Sequence, residues 1–114
     1  MKLFAALRKI REFERVQLPF FKSLIDFDIL IEIGYAEEQN QPLTPKQLYL
    51  RKLGPLTTVR RRLGVLAEQG IVRRQKNVHD RRSTFLTITS SSLKLLGKYG
   101  KVLTAIVRTD LMDA

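Results

Sequence analysis

The chain has 114 residues, with 21 Lys and Arg against 11 Asp and Glu and a formal net charge of +10. That length suits one domain with a modest core, and an apolar content of 44% excludes a disordered polycation. The absence of cysteine excludes disulfide scaffolds, thiolate metal sites and thiol redox chemistry. A metal site built on the one histidine, His79, with Asp80 as its only nearby carboxylate, is not expected.

Met1 to Val16 predicts a helix, with Leu3, Leu7, Ile10 and Glu14 at heptad-like spacing and Phe4 and Phe13 flanking them. Its charges recur every few residues without an apolar h-region, so it does not read as a signal peptide. No run approaches the roughly 18 to 20 apolar residues of a membrane span. Pro19 interrupts the helix. Ser23 can cap a second helix from Leu24 to Glu38, whose apolar residues (Leu24, Ile25, Phe27, Ile29, Leu30, Ile31, Ile33) nearly surround it. It is therefore expected to be the most buried element, with the run Ile29-Leu30-Ile31 leaving strand as an alternative there. Glu37 to Pro42 reads as a loop. Thr44-Pro45-Lys46-Gln47 is a helix start, with Thr44 as cap, Pro45 in the first turn and Gln47 completing a capping box. This third helix is predicted to run to Leu53, where Gly54-Pro55 breaks it. A fourth helix spans Leu56 to Gln69 and stops at Gly70. Ile71 to Lys76 and Thr84 to Ile88 read as two strands of a hairpin with a polar tip between them. Thr89 to Ser92 then cap a last helix to about Asp110.

The charge is concentrated. Between Thr44 and Arg82 lie 11 basic and 2 acidic residues, a net +9, and the other 75 residues carry +1. Lys46, Arg51, Lys52, Arg60, Arg61, Arg62, Arg73, Arg74, Lys76, Arg81 and Arg82 make that surface. A solvated face explains an isolated Arg-Arg-Arg, but explains poorly four clusters with two carboxylates among them. Two helices joined by a tight Gly-containing turn make a helix-turn-helix pattern. On a wheel of about 100° per residue, Val59, Leu63 and Leu66 define the core side of the fourth helix, and Thr57, Thr58, Arg60 and Arg61 fall on its outward face. Arg62 lies near the boundary, and Gly64 continues the outward face without a side chain. A major groove admits one helix and is read by that helix's N-terminal residues, where Arg60 and Arg61 could donate to guanine. Thr57 and Thr58 could contact phosphate or a thymine methyl.

The series Thr58-Val59, Leu63, Leu66, Gly70-Ile71-Val72-Arg73-Arg74, Asp80-Arg81-Arg82 and Leu86-Thr87-Ile88-Thr89 resembles regulators of the multiple-antibiotic-resistance repressor (MarR) type. The resemblance covers about Pro42 to Leu96. It implies a mainly α fold with a small β-hairpin wing, a winged helix-turn-helix, as one domain over 1–114. N-terminal helices would occupy 1–38, the helix-turn-helix 44–70, the wing 71–88 and a C-terminal dimerisation helix 89–110. It further implies that Arg82 enters the minor groove and that Asp80 holds it, as a narrow groove of enhanced negative potential would reward. The expected DNA-binding residues are Thr57, Thr58, Arg60, Arg61, Arg62, Arg73, Arg74, Lys76, Asp80, Arg81 and Arg82.

The last helix carries two stripes, Leu93, Leu96, Gly100, Leu103 and Val107 at a/d-like spacing, and Leu95, Val102 and Ile106. That is more than one such core needs, and it predicts a homodimer through the N- and C-terminal helices. The expected function is that of a cytoplasmic, nucleoid-associated, sequence-specific regulator of transcription bound to double-stranded DNA, with no cofactor and no membrane partner. A non-specific architectural or replication protein, or a winged-helix interaction module, would use the same basic surface. No paired carboxylates, nucleophile–base pair or phosphate-binding glycine loop suggests an enzyme. A small-molecule effector pocket lined by Phe20, Phe21, Phe27 and Tyr35 competes with the commoner fate of such aromatics as plain core.

Overall fold

In the computed structural model, which describes residues 1–80 and 82–112, the elements follow the expected order. They are α1 (Leu3–Gln17), α2 (Leu24–Glu38), α3 (Pro45–Tyr49), α4 (Leu56–Glu68), β1 (Val72–Lys76), β2 (Thr84–Ile88), α5 (Ser90–Ile106) and a π-helical segment, Val107–Met112. The fold is mainly helical with one antiparallel hairpin, as the sequence predicts. The chain divides into two compact bodies, residues 1–21 with 93–114 and residues 22–92. Among the described residues, no helix is long and apolar enough to cross a membrane.

In the first body, α1 ends one residue before Leu18, whose position ahead of Pro19 disfavours helical backbone. Phe13 stacks on Tyr99 of α5 with ring centroids 5.6 Å apart, and the Tyr99 hydroxyl donates to the Glu14 carboxylate. Burial and the facing Glu14 carboxylate push the Tyr99 phenol well above its usual range. The last helix differs from expectation. Its α form stops at Ile106 and widens into the π segment, within which Asp110 is buried with its carboxylate 2.9 Å from Lys9 Nζ. The Lys2 N–H donates to the Asp110 carbonyl at 2.6 Å, so the N-terminal end of α1 is tied to this widened turn.

The second body is built on α2. Ile29, Leu30, Ile33 and Ala36 are buried, but Leu24, Ile31 and Tyr35 are 75%, 61% and 60% exposed. Among the described residues α2 carries more buried side chains than any other helix, as expected, but these three apolar side chains stay open. The β-branched run is helical throughout. Both halves of the capping box at α3 are present, Gln47 N–H to Thr44 Oγ1 at 3.2 Å and Thr44 N–H to Gln47 Oε1 at 2.9 Å. The helix itself is shorter than predicted. It gives way after Tyr49 to a turn in which Lys52 takes a left-handed φ of 55°. At Gly54 a Cβ would lie 2.7 Å from Ile25 Cδ1, so a side chain there would require the end of the Ile25 side chain on α2 to shift.

The fourth helix buries Val59, Leu63 and Leu66. It closes in a Schellman motif, with Gly70 N–H donating to Ala67 O at 3.1 Å and Ile71 N–H to Leu66 O at 2.9 Å, and Gly70 at φ 72°. The strands pair from Val72 opposite Ile88 to Lys76 opposite Thr84. Two further bonds dock the hairpin. Leu86 N–H donates to the Leu43 carbonyl at 2.7 Å, and Ile88 N–H donates to Glu37 Oε1 at 2.6 Å. They satisfy outward-facing groups of β2 that an open strand edge would leave unpaired.

Candidate nucleic-acid interface

Every residue of the expected interface that the structure describes lies in the second body, on α4, β1 or the hairpin tip; Arg81 lies outside the described residues. On α4, Thr57, Arg60 and Arg61 are exposed and Thr58 is half-buried, opposite the buried Val59, Leu63 and Leu66. Nothing approaches within 4 Å of a Cβ built on Gly64, so that part of the helix surface is open. The Arg60 guanidinium lies 5.3 Å from the centroid of the Tyr49 ring on α3, within range of a cation–π contact. Such stacking orders a long side chain before a ligand arrives. Tyr49 was not among the expected site residues, and only the packing of α3 beside α4 identifies it.

Arg62 is a correction. Expected at the edge of the DNA-facing surface, its side chain is only 17% exposed and turns inward. Its Nε lies 2.6 Å from Asp26 Oδ1 and its Nη2 lies 3.1 Å from Asp26 Oδ2. Asp26 is fully buried, and a buried carboxylate demands such a partner. Asp26, one of two aspartates (with Asp28) inside the apolar run of the second helix, was the available signal for this pair. Arg51 also has a partner, with its Nε 3.9 Å from Glu32 Oε2, at a more exposed and weaker contact.

The hairpin divides its basic residues between two faces. Directly opposed residues share a face, so Arg74 and Lys76 lie on the side of Val72 and Leu86, whereas Arg73 lies with Phe85 and Thr87 on the other. All three basic residues are exposed, because the outer end of β1 reaches past the apolar core. At the tip, Asn77 Oδ1 accepts from His79 N–H at 2.9 Å and Asp80 Oδ1 accepts from Arg82 N–H at 3.0 Å. Asp80 therefore orders the backbone of Arg82. The Arg82 side chain is exposed, as are Val78 and His79, which a reading of charge alone passed over.

Among the described residues, no group of three His, Asp or Glu side chains is placed to hold a metal. Of the aromatics considered as effector-pocket residues, Phe20 and Phe21 pack edge to face in the first body and Tyr35 is exposed in the second.

No protein-family model matches the chain. No curated relative matches it by sequence. Solved structures do. The transcriptional regulator Tm0710 of Thermotoga maritima is 24% identical over 93% of this chain and 70% of its own, with a TM-score of 0.68. A mutant MarR from E. coli complexed with operator DNA is 21% identical over 92% of this chain and 72% of its own, at 0.61. MepR from S. aureus, in a complex with DNA, is 18% identical over 90% of this chain and 72% of its own, at 0.69. The chain thus has the winged-helix fold of the MarR-type regulators.

Proposed function

We propose that the protein is a sequence-specific regulator of transcription that binds double-stranded DNA, with α4 in the major groove and the hairpin in the minor groove. The observation that carries this reading is the outward row Thr57, Arg60 and Arg61 on α4, set opposite a buried aliphatic stripe and followed directly by a basic hairpin. An exposed helix face of this kind matches the width of a major groove and the donor pattern that reads guanine. Two of the solved structures that share the fold hold DNA, which supports a duplex as the partner. The protein acts as a cytoplasmic homodimer, by occupying promoter DNA and without catalytic chemistry. Leu3, Phe4, Leu7 and Val16 on α1 and Leu93 on α5 are exposed apolar side chains that a second copy would cover.

Selection of bound sequences from a random duplex pool at moderate salt tests the reading. A pseudo-palindromic site is expected, bound about 10³-fold or more above scrambled duplex. A ratio below about tenfold would overturn it.

A further inference from the structure

Asp26 is at the third position of α2 and is fully buried, and four donors converge on its carboxylate, two from the residues leading into α2 and two from Arg62 of α4. Oδ2 accepts the N–H of Lys22 at 2.6 Å, the N–H of Ser23 at 3.0 Å and Nη2 of Arg62 at 3.1 Å, and Oδ1 accepts Nε of Arg62 at 2.6 Å. The same group therefore caps the start of α2 and grips α4 one residue beyond Arg61. Stability alone explains this poorly, since apolar replacements of a buried ion pair are often neutral or stabilising. What the pair adds is direction. Val59, Leu63 and Leu66 hold α4 by aliphatic packing, which fixes its depth better than its rotation. A bidentate guanidinium–carboxylate contact tolerates little turning. At a radius of about 6 Å, a 20° rotation of a helix moves a side chain by about 2 Å, enough to break a bidentate hydrogen bond to a base.

We propose that Asp26 and Arg62 are positioning residues for base reading. The pair sets the rotation of α4 against α2 and so decides which base edges Arg60 and Arg61 reach. The inference rests on the regulator reading above. It assigns Arg62 to specificity through the fold, not to the phosphate backbone.

The test compares the full-length wild type with Asp26→Asn, Arg62→Gln and the doubly apolar Asp26→Leu/Arg62→Met. Each is titrated against the selected site and a scrambled duplex of equal length across a salt series, with the folded fraction followed by circular dichroism. Each variant should lower the ratio of specific to scrambled affinity by about tenfold or more, the cost of roughly one mismatched base pair. Scrambled binding by Arg62→Gln should keep its wild-type salt slope. Asp26→Asn, which loses a negative charge, should bind scrambled duplex at least as tightly as the wild type. The double variant has no buried charge left unpaired, so it separates positioning from folding. A wild-type ratio in the folded double variant would overturn the proposal. So would a salt slope reduced by about one unit in Arg62→Gln, the mark of a direct phosphate contact. A wild type that does not discriminate between the duplexes would remove the regulator reading and this inference together.

Discussion

Arg60 and Arg61 are neighbours on one exposed surface, and Arg60 stacks on the ring of Tyr49. Replacing Tyr49 with Leu keeps an apolar side chain on α3 and removes the π face. Binding to the selected site should weaken by about 0.5–1 kcal/mol, measured by titration at fixed salt, and unchanged affinity would mean that the stack does not order Arg60 for DNA. Arg61→Ala and Arg82→Ala should each cost about 1–3 kcal/mol, and if both leave binding intact the docking is wrong. Tyr99 supports a prediction about pH. Its phenol is held protonated in the folded state, so its contribution to stability is complete below the ordinary phenol range near pH 10 and is lost as pH rises beyond it. Thermal melts of the wild type should fall above about pH 10 more steeply than those of Tyr99→Phe. Equal slopes would remove Tyr99 from the alkaline transition.

Two glycines serve α4, Gly64 within it and Gly70 just past its end. Gly64 lies inside the helix with open space around it, so Gly64→Ala should raise thermal stability by about 0.5–1 kcal/mol. If the Gly64 surface lies against the sugar-phosphate backbone, the same variant should bind duplex more weakly although it is more stable. Gly70 is different, because at φ 72° any side chain is strained. Gly70→Ala should therefore lose about 1 kcal/mol in the same melts. The Gly70 stop was legible in the sequence, because a left-handed cap has a strong residue preference. The end of α3 was not. Gly54-Pro55 marks the latest point at which that helix can stop, whereas the chain already turns at Leu50 and reverses through the left-handed Lys52. Likewise the all-round apolar pattern of α2 announced a helix with a buried face, but not which of its residues would stay exposed.

For the molecule as a whole, the charge concentrated between Thr44 and Arg82 is reduced by internal pairing, since Arg62 and Arg51 each face a carboxylate of α2. Lys46, Lys52, Arg60, Arg61, Arg73, Arg74, Lys76 and Arg82 are exposed. If about 5 of these meet phosphates, log K should fall against log salt with a slope near −4 to −5 per protomer, and about twice that for a dimer. A flat salt dependence would detach the basic region from binding. Sedimentation with and without DNA gives the protomer count, and a monomer on its site would remove the two-fold arrangement.

The order of the elements, the caps at Thr44 and Gly70, the hairpin, and the outward direction of Arg60 and Arg61 were all legible in the sequence. These are local consequences of helical and strand periodicity and of the conformations a few residues prefer. What each charge meets came from packing between elements. Arg62 meets Asp26, Arg60 meets Tyr49, and Asp80 spends its carboxylate on the backbone of Arg82. Periodicity gives the direction in which a side chain leaves its own helix. Only packing decides which distant residue it meets there, and the partner of Arg62 is 36 residues away.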